Sequence, residues 1–245
     1  MKEKIGKGHL HPISIMMADI AIIFRKMGFA VALGPEIEEE YYNFDALNVP
    51  AWHPARDMQD TFWLKPLSDH KLLRTHTSPI QIRYMNDNKP PIRIVALGQA
   101  FRNEATDVTH EAQFHQVEAL MVDENVSLAN LKGVLEKFFS ELFGVKIVSR
   151  LRPSYFPFVE PGAEIDISCF KCFGKGCNVC KNTGWIEVMG CGTVHPKVLE
   201  SGGVNPRKYK GFAFGGGIDR LVMLKYGIDD IRLLYQGDLR LVNQF

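Results

Sequence analysis

The sequence has 245 residues, 46% of them hydrophobic and 23% charged, proportions that exclude a disordered chain, a collagen-like repeat and a coiled-coil rod. Lysine and arginine number 29 against 28 acidic residues, and the formal net charge of +1 excludes holding nucleic acid by bulk basicity; such contact requires a local patch, a partner chain or a transient encounter. No stretch approaches the ~20 apolar residues of a membrane span, and the length suits one large domain over 1–245 with room for a small insertion.

The first twelve residues lack an apolar core, so no secretory signal is read in them. Residues 12–27 read as an amphipathic helix, because Ile13, Met16, Met17, Ile20, Ile23, Phe24 and Met27 recur at spacings of three and four. Pro12 is tolerated at a first helical position, and Gly28 stands where a helix stops. Residues 28–35 read as a strand ended by a proline, 36–40 as an acidic solvated face and 43–56 as loop. Residues 92–97 and 114–122 are apolar strand candidates on either side of a charged connection, the pattern of an antiparallel hairpin with a long turn. Ser127 caps a second helix with a stripe of Leu128, Leu131, Val134, Leu135, Phe138, Phe139 and Leu142, ended by Gly144. Residues 145–151, 164–168 and 185–189 read as further strands, and 217–226 as a short last helix stopped by Gly227. Helices and strands mix without regular β-α alternation, which predicts an α+β fold with an antiparallel sheet flanked by helices.

Of 5 cysteines, four crowd into residues 169–180 as Cys169-Phe-Lys-Cys172 and Cys177-Asn-Val-Cys180. Two such pairs can give four thiolates to one tetrahedral Zn²⁺, a set that leaves no open position and so serves structure rather than catalysis. Gly174 and Gly176 allow the turn between the pairs, and Lys171, Lys175 and Lys181 soften the charge of a tetrathiolate. The alternative is four free or partly oxidised thiols in a surface insertion. Clustered cysteines without a signal peptide point to a reducing compartment, the cytoplasm. Cys191 stands apart and reads as a buried small residue.

Phe101-Arg102-Asn103-Glu104 closes the first hairpin strand, and His110-Glu-Ala-Gln-Phe114 opens the second. An arginine fork there suits a phosphate and an aromatic ring suits a nucleobase. A surface ion pair with a core phenylalanine fits the same residues equally well. Phe214-Gly-Gly-Gly-Ile-Asp-Arg220 leads into a helix; it lacks the G-K-[ST] of a phosphate-binding Walker loop, and a plain turn is the simpler reading.

In order along the chain, these pieces resemble the three motifs of class II aminoacyl-tRNA synthetases. Residues 28–35 resemble motif 1, associated with the dimer interface. Residues 101–104 with His110 and Phe114 resemble motif 2, and residues 215–220 motif 3. Six further segments are similar to the alpha subunits of bacterial phenylalanyl-tRNA synthetases: Tyr41-Tyr-Asn-Phe-Asp-Ala-Leu-Asn48, His53-Pro-Ala-Arg56, Asp60-Thr-Phe62, Arg74-Thr-His-Thr-Ser-Pro79, Phe156-Pro-Phe158 and Gly211-Phe-Ala-Phe214. The resemblance runs from about His11 to Phe245 and implies the class II fold, with the cysteine cluster as a small insertion present in only some members.

The resemblance also implies a chemistry: ATP-dependent activation of L-phenylalanine to phenylalanyl-adenylate, then transfer to tRNA(Phe), with Mg²⁺ accompanying ATP. It implies a beta-subunit partner in an α2β2 assembly. Arg102 would hold the α-phosphate and the amino-acid carboxylate. Glu104 would meet the adenine amino group, Phe114 and Arg220 would stack on the two faces of adenine, and His110 belongs to the same ATP set. His76, Ser78, Gln81, Gln116 and Glu118 would surround the amino and carboxylate groups of phenylalanine. Phe156 and Phe158 would meet its ring edge-to-face, Ala213 would floor the pocket, and Glu160 would bind Mg²⁺ near the partner subunit. Two departures stand out. The family's N-terminal helical arm, which reaches the tRNA, is missing from the resemblance, so weak tRNA binding by this chain alone is expected. Asp219 occupies a motif 3 position where glutamate is commoner, a methylene shorter, which either is harmless or loosens a Mg²⁺ contact. Two other readings compete: an adenylating paralogue that charges no tRNA, and a non-catalytic RNA-binding module using the cysteine knuckle.

Overall fold

The computed structural model describes residues 8–56 and 60–245; the start of the chain, 1–7, and 57–59 lie outside the described residues. Helix α1 (Pro12–Lys26) begins with the His11 Nδ1 accepting from the Ile13 amide at 3.2 Å, and its Ile13, Met16, Ile20, Ile23 and Phe24 are buried as the spacing predicts. Strand β1 (Ala30–Ala32) is shorter than the expected 28–35. Strand β2 (Ile37–Glu39) leads into a turn of helix α2 (Glu40–Asn43), and pairs with β3 (Lys71–Leu73) in a small separate sheet. The expected loop at 43–56 contains short 3-10 turns at Asp45–Leu47 and Pro54–Arg56. Helix α3 (Pro79–Asp87), not anticipated from the sequence, starts at a proline in its first turn.

Strands β4 (Ile92–Phe101) and β5 (Gln113–Asp123) form the antiparallel hairpin, both longer than their apolar runs suggest. Helix α4 (Leu128–Phe143) has a reciprocal cap between Ser127 and Asn130, and ends at Gly144 with φ 68°. There follow β6 (Ser149–Pro153), starting later than the expected 145, and β7 (Val159–Ser168) and β8 (Trp185–Val194), both longer than expected. Helix α5 (Pro196–Ser201), β9 (Lys210–Gly217) and α6 (Ile218–Tyr226) complete the main elements. The glycines 215–217 belong to β9 itself rather than to a turn, because the chain must pass close to its neighbours there while still pairing.

The main sheet has the order β1-β4-β5-β9-β8-β7-β6. Every pair is antiparallel except β1 with β4, so the expected antiparallel sheet is mixed at one edge. Alternation along the strands divides the two faces. Val95, Val117, Ala119, Phe212, Phe214 and Ile165 pack against Phe24, Leu135, Phe138 and Phe139 of α1 and α4. On the opposite face, Ala96, Leu120, Val122 and Ala213 continue as a second buried cluster with Ile80 and Ile82 of α3. Glu118 shares that second face, two residues before Leu120. The fold thus gives one face to helices and leaves part of the other free for a pocket.

The stretch 36–40 is not simply a solvated face. Glu38 is buried, and its carboxylate accepts from Arg83 Nε at 3.0 Å and Nη2 at 2.5 Å, while the Arg83 guanidinium lies 3.9 Å over the Tyr42 ring. Removing one partner of a buried ion pair leaves an uncompensated charge. Because Arg83 is partly exposed, Arg83→Leu is expected to destabilise the protein by about 2 kcal/mol, lowering Tm by roughly 5 °C in thermal unfolding; an unchanged Tm would contradict the buried pair.

Candidate active site

The free face of the sheet floors a cavity of about 1530 Å³. Its floor is polar where β5 crosses it. Gln116 lies between Gly98 and Gly217, and Glu118 between Ala96 and Gly215, so the sheet flanks both polar side chains with the smallest residues available. A Cβ on Gly215 would sit 3.2 Å from Glu118 Cγ and 3.3 Å from Gln116 Nε2, and one on Gly98 would collide with the Arg74 guanidinium. That guanidinium is buried and tied to three backbone carbonyls: Gln99 at 2.6 Å, and Gly34 and Pro35 at 3.1 Å each. It stitches the segment after β3 to the end of β4. Asn43 and Thr75 exchange hydrogen bonds of 3.0 and 3.2 Å beside it. These ties bring residues 75–81 over β5.

The Glu118 carboxylate then receives Ser78 Oγ at 2.8 Å, Thr77 Oγ1 at 3.2 Å and the Gln81 amide, while the Thr77 amide donates to Gln116 Oε1 at 3.2 Å. Ser78, Gln81, Gln116 and Glu118 are therefore brought together as expected. Thr77, Arg74 and Asn43 join them; the sequence carried no spacing signal for their roles. Burial pushes the Glu118 carboxyl up to about 7, although the donors from Ser78, Thr77 and Gln81 and the charge of Arg74 oppose the shift. His76 lies beside this group with its Nδ1 buried and without a hydrogen-bond partner among the described residues. Burial, with the Arg102 and Arg74 guanidiniums, pushes its imidazole down to about 3, so the ring is neutral. Phe158 stands 6.3 Å from the His76 ring and 5.9 Å from Phe156, the two phenyl rings inclined by 24°. Both phenyl rings and Ala213 line the cavity.

The other end of the cavity is built from the hairpin loop and the start of α6. Arg102 donates from Nε to the Thr75 carbonyl at 3.3 Å, and its guanidinium lies 5.0 Å over the Phe114 ring. Glu104, His110 and Arg220 line the same space. His110 is oriented by Asp107, which accepts from the His110 amide at 2.8 Å and stands 3.0 Å from its Nδ1. Asp219 is buried and its carboxylate is fully engaged: the His115 amide donates at 2.6 Å, and the Tyr235 hydroxyl donates to the other oxygen. Burial and that carboxylate push the Tyr235 hydroxyl far up, so it stays a donor. Phe114 precedes His115 and Arg220 follows Asp219, so this one contact ties together the segments that carry two lining residues. Glu160 stands elsewhere. It is exposed, 3.2 Å from His195 Nε2, and is not among the residues that line the cavity.

The connection between β7 and β8 folds around the cysteines. The Sγ atoms of Cys169, Cys172, Cys177 and Cys180 all lie within 4.8 Å of one another. Three of the pairs measure 3.8, 3.7 and 3.8 Å. A tetrahedral zinc with bonds of ~2.3 Å requires Sγ–Sγ separations of about 3.8 Å, so the cluster has the shape to hold such an ion. Gly176, Cys177 and Gly184 donate amides to sulfur at 3.2, 3.2 and 3.3 Å. Burial opposes ionisation of Cys180, but the Cys177 and Gly184 amides and the neighbouring thiols outweigh it and hold that thiol at about 6. Cys191 is buried on the helical side of the sheet, its thiol pushed up to about 12 by burial.

A mixed sheet with helices on one face, and a long cavity on the other spanning hairpin, glycine strand and following helix, is the core of a class II aminoacyl-tRNA synthetase. The family model for the tRNA synthetases class II core domain (F) matches residues 1–245. The fold is also similar to that of the pyrrolysyl-tRNA synthetase from Desulfitobacterium hafniense, with a TM-score of 0.68 at 15% identity, over 92% of this chain and 74% of that one. Among curated proteins, the phenylalanine--tRNA ligase alpha subunit of Clostridium perfringens is 53% identical over 244 residues, 100% of this chain and 70% of that protein. Those of Caldanaerobacter subterraneus subsp. tengcongensis and Francisella tularensis subsp. novicida are each 54% identical, over 97% and 98% of this chain and 69% and 70% of their own lengths. The chain belongs to the family of phenylalanine--tRNA ligase alpha subunits.

The sulfur geometry generates a thiol count. After treatment with a chelator, four thiols should react with an aromatic disulfide reagent, Cys169 slowest because burial pushes its thiol up while that of Cys180 is held low, and Cys191 not at all. One equivalent of Zn²⁺ should protect all four. Continued reaction of two or more would rule out a four-sulfur site.

Proposed function

We propose that this chain activates L-phenylalanine with ATP and passes the aminoacyl group to the terminal ribose of tRNA(Phe), as the catalytic alpha subunit of an α2β2 phenylalanine--tRNA ligase in the cytoplasm. The observation that carries the reading is Glu118. A buried carboxylate whose direct partners are all neutral donors lacks a counter-ion at contact distance, and it lies on the floor of a large cavity. The ammonium of an amino acid supplies that charge. With the ammonium over Glu118, the side chain lies toward Phe156, Phe158 and Ala213, and the carboxylate toward Arg102 at the junction with the nucleotide end. The names of the relatives give phenylalanine as the amino acid, and two phenyl walls with a small alanine floor suit a benzyl group.

The chemistry asks little of the protein beyond placement. An oxygen of the amino-acid carboxylate attacks the α-phosphorus, the bond to the bridging oxygen breaks, and pyrophosphate leaves; no covalent enzyme intermediate forms. Arg102 neutralises charge between carboxylate and α-phosphate, and positioning with preorganised charge supplies the rate. Phe114 and Arg220 enclose the adenine, Glu104 meets its amino group, and His110, held by Asp107, stands at the phosphate side. Neutral His76 offers its unpartnered nitrogen to the substrate's polar groups without adding charge. Mg²⁺ bound with ATP would offset charge on the phosphate oxygens. Glu160 is assigned to a Mg²⁺ at the face toward the beta subunit, and the four cysteines to a structural Zn²⁺. We take 1–245 as one catalytic domain with 169–180 as an insertion within it.

The test is ATP–pyrophosphate exchange with each of the twenty amino acids, on the chain assembled with its beta subunit. Phenylalanine alone should drive exchange strongly, and Arg102→Ala should reduce it at least a hundredfold with the fold intact; no exchange with any amino acid from folded protein would overturn the reading. Exchange without tRNA charging would instead identify an adenylating paralogue. The acid limb of the pH profile follows from Glu118. Below about 7 the carboxyl is protonated and cannot pair with an ammonium, so kcat/KM for phenylalanine should fall about tenfold per pH unit there. Glu118→Gln should lower kcat/KM at pH 8 and remove that limb; a limb that persists in the variant would assign it to another group.

A further inference from the structure

The cysteine knuckle stands at the mouth of the cavity. Phe101 pairs with Gln113, and Ser168 with Trp185, so the loops 102–112 and 169–184 leave the sheet at the same end. The register Gly190 with Gly215 carries the start of β8 past the end of β9 at Gly217. The two loops therefore face each other: Thr109, His110 and Glu111 line one side of the opening, and Val179, Lys181 and Thr183 the other.

The composition of the knuckle is one-sided. Residues 169–184 contain Lys171, Lys175 and Lys181 and no acidic residue. All three lysines are exposed, and none of their ammonium groups pairs with a carboxylate among the described residues. Nearby cations are different: Arg150 and Arg152 are held by Asp166, Glu164 and Glu187 at 2.5 to 3.0 Å. Even around a tetrathiolate metal centre of charge −2, three lysines leave the knuckle net positive. Phe173 adds a large ring that is 72% exposed and packs into neither hydrophobic cluster. Lys171 lies 5.8 Å over the Phe170 ring; lysines without a carboxylate partner in the same loop as an exposed ring are the elements with which proteins hold single-stranded nucleic acid.

We infer that the knuckle is a docking surface for the single-stranded acceptor end of the tRNA, holding its phosphates with Lys171, Lys175 and Lys181 and a base with Phe173. This rests on the proposed transfer step, which brings that end through this mouth, Lys181 at the opening and the other two lysines outside it. The opposing loop carries the nucleotide-binding groups, and Lys171, Phe173 and Lys175 lie outside the cavity lining, so they add affinity for RNA apart from the adenylation site.

The experiment compares the αβ-assembled enzyme with the triple variant Lys171→Gln, Lys175→Gln, Lys181→Gln, and with Phe173→Ala. Phenylalanine-dependent pyrophosphate exchange should be unchanged in both. The KM for tRNA(Phe) should rise about tenfold in the triple variant and about fivefold in Phe173→Ala. The slope of log affinity for tRNA against log salt should become shallower by about 2, from three lost phosphate contacts at ~0.7 each. Intact exchange with unchanged tRNA KM and unchanged salt slope would overturn the inference. Absence of exchange in the unaltered enzyme would instead overturn the proposed function beneath it. Should the triple variant lose exchange as well, the double variant Lys171→Gln, Lys175→Gln, whose residues do not line the cavity, decides: a rise of about threefold in tRNA KM sustains the inference, and no rise refutes it.

Discussion

A carboxylate buried without a counter-ion is the constraint around which this site is arranged. Glu118 loses water on the sheet floor, and the protein answers with a serine hydroxyl, a threonine hydroxyl and a glutamine amide rather than with a cation. Neutral donors satisfy the oxygens without cancelling the charge, so the group remains poised between its two protonation states. That choice explains the residues around it. Gly215 lies against β5 where a Cβ would press on Glu118 and Gln116, and Gly98 leaves the space that the Arg74 guanidinium occupies. Arg74 lies close enough to influence the charge, yet its donors go to backbone carbonyls, so it shapes the segment bearing Thr77 and Ser78 instead of neutralising Glu118.

The hairpin end of the cavity depends on a different device. Asp219 bonds the backbone of β5 at His115 and the hydroxyl of Tyr235, tying the last strand-to-helix junction and the C-terminal segment to the hairpin. Ile231 donates its amide to the Val108 carbonyl and adds a second tie to the hairpin loop. The residue that departs from the commoner glutamate is thus a structural pin. Both of its oxygens are engaged within the protein.

Much of this was legible in local patterns. The stripes of α1 and α4, the cap at Ser127, and the hairpin of β4 and β5 follow from periodicity and from residues that start and stop helices; the His11 cap does not. The four cysteines announced a metal-sized cluster because their spacing alone limits how far apart they can lie. Local patterns failed where tertiary contacts overrode them. The acidic run at 36–40 contains a buried glutamate because Arg83, some 45 residues away, reaches it. Helix α3 is short, and Ile80 and Ile82 alternate as strand residues do, so its local pattern carries little helical signal, while its packing under the second face is tertiary. Three glycines suggested a turn but lie in a strand, where they serve close approach rather than reversal of the chain.

The sequence by itself determined the fold class, the hairpin and the cysteine knuckle, and by resemblance the family and the candidate residues for the site, because all of these are encoded in short spans of neighbouring residues. Only the tertiary structure decided which of those residues meet. Burial raises Glu118, silences the charge of His76, and engages both oxygens of Asp219, and burial is a property of everything packed around a group rather than of the group's own segment. It also decided that the knuckle and the hairpin loop share one end of the sheet, since that depends on the register of β7, β8 and β9, which no local pattern records.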